Sequence, residues 1–348
     1  QVRQAVRGVA ELVAELAGVG GEQVGELERC VLELAVEHLG VRTDGRLLAL
    51  NSYENRVYQV GVEETSPLVV KFYRPHRWSD MQILEEHDFV QALADVEIPA
   101  VPALRINEQS LFTFQGFRFS LFAKHGGRAP ELDQSGVLAW IGRFIARIHS
   151  VGSSASFQYR PALNIETFGE EPAQFLLGSD FIPSELREVY RGVVAQALDG
   201  IKRCYERAGD VESLRLHGDC HMGNLLWTDD GPHFVDFDDS RMGPAIQDLW
   251  MMLSGTPAEM QKQLNEVLLG YEAFYDFNPQ ELHLVEALRT LRLIHYSAWI
   301  ARRWDDPAFK SAFTWFNTQQ YWQDRILEFR EQIAAMQEPP FMIMSGNY

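Results

Sequence analysis

The sequence is short of several things, and each shortage narrows the reading. Three cysteines in 348 residues, Cys30, Cys204 and Cys220, are odd in number and far apart. That spacing excludes a disulfide framework and favours a reducing compartment, so a cytoplasmic location is predicted. No run of about 18 apolar residues occurs, which predicts no membrane span, and no cleavable leader is visible after Gln1. Basic residues are outnumbered, 31 against 49 acidic, for a formal charge of −18. A chain this acidic offers no broad basic surface, so neither nucleic acid nor an anionic membrane is predicted as a partner.

Residues 1–40 lack aromatics, Lys, Pro, Ser, Thr, Asn, Asp and Ile altogether. Val2, Val6, Val9, Val13 and Leu16 recur at helical spacing, glycines 18, 20 and 21 interrupt, and Leu27, Val31, Leu34 and Ala35 resume. Two short helices are predicted there, with no function attached. The texture then changes. "NRVYQVGV" and "PLVVKFY" read as strands joined by a turn, and "SDMQILEEHDFVQALADV" as a helix capped by Ser79 or Asp80 and stopped by "IPAVPAL". "SLFTFQGFRFSLFA" supplies two further strands around Gln115-Gly116. Beyond the connector "KHGGRAPEL", helical periods dominate, as in the stripe Val137, Leu138, Ile141, Phe144, Ile145 and Ile148. The fold class is α+β, divided into an N-terminal helical segment (1–40), a small β-rich lobe (41–122) and a larger helical lobe (123–348).

What is present then matters. In "LHGDCHMGNLLW", Asp219 and Asn224 lie five apart, with His217 two before the Asp. Asp236 follows twelve residues after Asn224, inside the apolar run "FVDFD". Phosphoryl transfer needs this set: a carboxylate to take or orient the proton of the attacking hydroxyl, and an amide oxygen with a second carboxylate to hold Mg2+ against nucleotide phosphates. Upstream, Lys71 on a strand and Glu86 on the following helix can supply the phosphate cation and its support, with Glu85 the alternative partner. Strand Lys, helix Glu, loop Asp and Asn, then strand Asp is the order of the protein-kinase signature set. Zinc on His217, Cys220 and His221 is the weaker reading, because a structural site wants four ligands and no second pair lies nearby. His217 is read as a buried brace, and Cys220 and His221 as loop residues without an assigned role.

Two departures from that set stand out. No G-x-G-x-x-G occurs in the first hairpin; "NSYENRVYQV" takes its place, where Asn51, Ser52 and Asn55 could donate to phosphate. Asp236 is followed by Phe-Asp, no A-P-E segment appears, and "VDFDDSRMGPAIQDLW" runs almost directly into a helix. There is no room for a long activation loop, so control by its phosphorylation is not predicted.

"HGDCHMGNLLW" with "FVDFDDSRMGPAIQDLW" resembles the aminoglycoside phosphotransferase and choline kinase superfamily, whose fold is like that of protein kinases. "LNSYENRVYQV", "VVKFYRPHRWS", "QILEEH" and "RLHGDCHMGN" together are similar to one branch of it, the bacterial stress response kinase A family of Ser/Thr protein kinases. The resemblance runs from about residue 41 to the end. It implies a two-lobed kinase-like fold using ATP and Mg2+, with Asp219 as catalytic base and Asn224 and Asp236 as metal ligands. It further implies Lys71 on the phosphates with Glu86 as its partner, Ser52 in the nucleotide loop, and the hinge "FSLFAKH" (119–125, including Phe122) against the adenine. Asp248 matches a helix-start Asp that braces the catalytic loop.

The acceptor is left open. A protein serine or threonine is the leading expectation, for a monomeric enzyme with a role in stress response. A small-molecule kinase of the aminoglycoside, choline or homoserine kind is the alternative, because Asp229, Asp230, Asp236, Asp238 and Asp239 gather five carboxylates that could attract a cation. A nucleotide-binding pseudokinase is opposed by the intact Lys71, Asp219, Asn224 and Asp236 set. Arg289, Arg292, Tyr296, Trp299, Arg302, Arg303 and Trp304 read first as helix packing and salt bridges, and second as walls of an acceptor cleft.

Overall fold

A computed structural model of the chain describes residues 32–50, 52–229 and 231–343. The chain divides into two compact units, Gln1–Gln91 with Val101–Gly126, and Ala92–Ala100 with Gly127–Tyr348. The helices expected before residue 32, together with Asn51 and Asp230, lie outside the described residues.

In the first unit a five-stranded antiparallel sheet has the order β1-β2-β3-β5-β4, formed by Thr43–Leu50, Arg56–Val62, Leu68–Phe72, Phe117–Ala123 and Phe112–Phe114. The sequence reading found four of these strands. The fifth, β1, is an edge strand whose residues are nearly all exposed or half-exposed, so it lacks the alternation that marks a half-buried strand. β4 and β5 meet through Gln115 (φ 49°) and Gly116 (φ 83°), the double left-handed turn that suits a tight hairpin. Residues 32–37 are helical, and Leu32, Ala35 and Val36 bury against Tyr58, Val60, Val70, Phe119 and Leu121 of the sheet. The helix Asp80–Asp95 starts with a reciprocal cap. The Ser79 hydroxyl accepts the Gln82 N–H (3.3 Å), and the Gln82 side chain accepts the Ser79 N–H (2.8 Å).

The second unit is mostly helical. The helices Val137–Gly152 and Pro257–Tyr271 cross with their backbones in contact. A Cβ on Gly142 would run into the Val267 carbonyl, and one on Gly270 into the Ala139 carbonyl. Glycine at both positions is what permits the approach. Val285–Ala301, Ser184–Ala208 and Gln319–Ala335 complete a core around Tyr190, Trp322 and Phe329, with Tyr190 edge-on to both other rings. Two short two-stranded sheets, β6 (Leu214–Leu216) with β9 (Arg241–Gly243) and β7 (Leu225–Thr228) with β8 (Gly231–Phe234), carry the loops of interest. Among the described residues no helix is long and apolar enough to cross a membrane.

Candidate active site

The loop 217–224 leaves β6 and enters β7, and its shape is imposed from outside. His217 N–H and Gly218 N–H donate to the two carboxylate oxygens of Asp248, at 2.8 and 2.9 Å. Asp248 is fully buried in the short helix Ile246–Trp250. Its Oδ2 also meets His149 Nε2 (3.1 Å), whose Nδ1 in turn meets the Tyr271 hydroxyl (2.7 Å). Burial pushes the Tyr271 phenol far up, so it stays protonated and donates to Nδ1, leaving the His149 Nε2–H for the carboxylate. The loop brace is therefore continuous with the Gly142/Gly270 helix crossing, which brings His149 and Tyr271 together.

Gly218 has φ 85°, and a Cβ there would collide with the Asp239 carbonyl. Gln247 donates to the Gly218 carbonyl (3.2 Å). His217 is wholly buried and its Nε2 meets the Val235 carbonyl at 3.0 Å. A carbonyl only accepts, so the proton sits on Nε2, and Nδ1 accepts the Asp219 N–H (3.4 Å). His217 is thus the buried brace that the sequence suggested.

Asp219 and Asn224 are brought together. Asn224 Nδ2 donates to the Asp219 carbonyl (2.9 Å), so its Oδ1 is not the atom spent on that bond. The β7–β8 hairpin places Asp236 near them, since the Val235 N–H donates to the Asn224 carbonyl (3.1 Å). Asp236 itself has φ 60° and ψ 62°, left-handed backbone that Asp tolerates better than most residues. An amide oxygen and a carboxylate at adjoining strand ends are hard donors suited to Mg2+.

Asp219 is clasped on both oxygens. Arg292, from Val285–Ala301, donates to Oδ1 at 2.7 Å, and His221 Nε2 lies 3.4 Å from Oδ2. Burial raises the carboxyl, but the His221 contact and the Arg292 charge outweigh it and hold Asp219 well below the usual carboxylate range. His221 Nδ1 meanwhile accepts the Gly223 N–H (2.9 Å), so His221 shapes the turn and faces Asp219 rather than His217. Cys220 is buried, and burial with the nearby Asp248 and Asp219 charges keeps it a protonated thiol.

The first unit arranges its own residues. Lys71 is buried in β3 between Val57 of β2 and Ser120 of β5, with its ammonium 5.7 Å from the centroid of the Tyr73 ring. Glu86 is buried at 3% exposure whereas Glu85 is half-exposed, which separates the two candidates. Beside Glu86, His87 links the Tyr73 hydroxyl (2.8 Å) and the Ser110 hydroxyl (2.9 Å), and its ring stands edge-on to Phe122. Of the stretch 119–125, Phe119, Ser120 and Leu121 are buried within β5, so only residues from Phe122 onward face outward.

Ser52 and Asn55 are engaged in shaping their own loop. The Ser52 hydroxyl accepts the Asn55 N–H (3.3 Å), and Asn55 Oδ1 accepts the Arg74 N–H (3.1 Å). The Arg74 guanidinium donates to the carbonyls of Glu54 (3.0 Å) and Tyr53 (3.2 Å), and Arg74 and Arg77 both reach the Glu54 carboxylate, at 3.2 and 3.7 Å. The loop that replaces a glycine-rich one is pinned by two arginines. Sequence reasoning missed this, together with His149, Tyr271 and Gln247, because no local spacing connects those residues to the loops they hold.

The sequence pattern of the phosphotransferase enzyme family matches residues 46–288. The chain belongs to that family. It is 42% identical over 313 residues to the stress response kinase A of Escherichia coli (strain K12), covering 90% of this chain and 94% of that protein. It is 42% identical over 304 residues to the serine/threonine protein kinase RdoA of Salmonella typhimurium, covering 87% of this chain and 92% of that one. The structure of an amicoumacin kinase in complex with AMP-PNP, Ca2+ and its ligand overlays with a TM-score of 0.69 at 18% identity, over 95% of this chain and 98% of that one. This phosphotransferase therefore has the expected kinase-like α+β fold.

Proposed function

We propose that this phosphotransferase moves the γ-phosphoryl group of ATP to serine or threonine hydroxyls of proteins, with Mg2+, in a stress-response role. The observation that carries the reading is the braced loop that carries Asp219, ties Asn224 Nδ2 to the Asp219 carbonyl and lies beside Asp236. The names of the two close relatives support the protein acceptor.

Asp219 orients the acceptor hydroxyl and receives its proton as the O–P bond forms. Its low basicity is no obstacle, because the transition state of phosphoryl transfer is loose and the proton moves late. Asn224 Oδ1 and Asp236 would hold Mg2+, which would neutralise phosphate charge. Lys71 reaches the phosphates; Glu86 partners it, since two opposite charges buried in one small unit are tolerable when paired. The pinned 52–55 loop is assigned to the phosphates and residues from Phe122 onward to the adenine.

The decisive experiment is transfer from γ-labelled ATP with Asp219→Asn. Phosphorylation of protein acceptors falls about 10³-fold, while nucleotide binding, read by fluorescence, stays within about threefold because the carboxamide leaves the shape unchanged. Undiminished transfer would remove Asp219 from the mechanism. A small-molecule acceptor is the second reading, favoured by the overlay with the amicoumacin kinase; label found only on a small alcohol would establish it.

A further inference from the structure

Two of the carboxylates at the acceptor end, Asp219 and Asp239, are each held by an arginine. Asp219 is paired with Arg292 (2.7 Å), and Asp239 with Arg241 (2.7 Å), whose Nε also donates to the Asp239 carbonyl (2.8 Å). Asp238 is buried at 3% exposure, and the buried Arg160 donates to the carbonyls of Asp238 (2.9 Å) and Ser240 (2.8 Å). His295, stacked on Phe168 at 4.1 Å, is kept neutral by burial and then by Arg241, Arg302 and Arg292, against the single opposing charge of Asp239. Arg292, His295 and Arg302 are carried by one helix and the residue that ends it, at intervals of three and seven. Arg292 keeps 39% of its side chain exposed, so it meets solvent as well as Asp219.

Resting on the kinase reading above, we infer that Arg292 is a specificity-determining residue. It closes the acceptor position at Asp219 to ammonium-bearing alcohols and to hydroxyls flanked by Lys or Arg, and opens it to serine or threonine flanked by acidic residues. The physical reason is direct. An ammonium acceptor needs a carboxylate that is unpaired, and the one nearest the reacting hydroxyl is already held by a guanidinium. A cation brought to Asp219 is repelled by Arg292, whereas an acidic flank can share Arg292 with Asp219.

The test compares two serine peptides that differ only in Glu or Lys flanks, together with a small amino alcohol, using the full chain, ATP and Mg2+. The Glu-flanked peptide is expected to have a kcat/KM at least about tenfold above the Lys-flanked one, with the amino alcohol poorer still. The ratio should fall towards one in Arg292→Gln and persist in Arg292→Lys. With wild type alone it should shrink as salt rises from about 0.05 to 0.5 M, because the discrimination is electrostatic; this arm survives even if Arg292→Gln is inactive. A Lys-flanked or amino-alcohol preference, a salt-independent ratio, or an unchanged ratio in Arg292→Gln would overturn the inference. Failure of wild type to turn over ATP with any acceptor would overturn the kinase reading and this inference with it.

Discussion

The loops at 52–55 and 217–224 are both short and polar, and each contains an asparagine, yet they are held in opposite ways. The first is pinned by near neighbours in sequence: Arg74 and Arg77 stand about twenty residues from the carbonyls and carboxylate they grip. Those contacts are partly buried, with the Arg74, Arg77 and Glu54 side chains 23%, 9% and 12% exposed, but they stay within one stretch of the chain. The second is pinned from far along the chain, by Asp248 thirty-one residues away, by His149 and Tyr271 acting through Asp248, and by Arg292 seventy-three residues away. Asp248 and His149 are fully buried, so each carries the full cost of leaving a partner unmatched. A loop held locally can adjust when its ligand arrives. One held by a buried chain of long-range bonds is fixed by the fold itself.

This contrast can be broken experimentally, most sharply at Asp248. Asp248→Ala strands the His217 and Gly218 N–H groups and the His149 imidazole in a closed interior, and should cost about 3–5 kcal/mol of stability, read by urea unfolding. A loss no larger than that at Arg74 would erase the distinction between the two loops. Next comes Glu281, buried at 3% exposure, whose carboxylate accepts the Ile246 N–H (2.8 Å) at the start of the Asp248 helix. Burial pushes it up to about 7, and the Ile246 bond only partly offsets this. The folded value lies above the unfolded one, so its stabilising contribution is complete below about pH 4.5 and is lost as pH rises through 7. Glu281→Gln keeps an acceptor for Ile246 and should add about 3 kcal/mol at pH 8 and little at pH 4. Equal gains at both pH values would contradict the assignment. The smallest effect belongs to the local loop. Arg74→Ala should raise the KM for ATP about tenfold with kcat nearly unchanged and little loss of stability. A fall in kcat with KM constant would instead mean that the loop does not serve the nucleotide.

The same contrast explains what could be read beforehand. Lys71, Glu86, Asp219, Asn224 and Asp236 could be singled out because of strand or helix periodicity and short spacings, and the passage from sheet to helices was legible in the change of texture near residue 123. The choice of Glu86 over Glu85 also follows from periodicity, once the apolar face of Asp80–Asp95 is known. β1 was not legible because its exposed edge carries no alternating pattern. Arg292 was read first as packing or a salt bridge and second as a cleft wall; the salt bridge is there, but its partner Asp219 depends on how Val285–Ala301 lies against the β6–β7 loop, which no spacing encodes. Ser52 and Asn55 were read as side-chain or backbone donors to phosphate; that Ser52 Oγ and Asn55 Oδ1 also accept the Asn55 and Arg74 N–H groups was not visible beforehand. Polar residue type is visible in a sequence; the partner it chooses is not.

The crossing at Gly142 and Gly270 has a consequence for how this protein can change over generations. Where side chains separate two helices, a larger residue on one can be accommodated by a smaller one on the other, and drift proceeds in small compensated steps. Here backbone meets backbone, and no side chain is left to trim. Even alanine at either site has to push one helix off the other, and with it His149 from Tyr271, several bonds away from Asp219. These two glycines, remote from any reacting atom, should therefore be inherited as strictly as the aspartates.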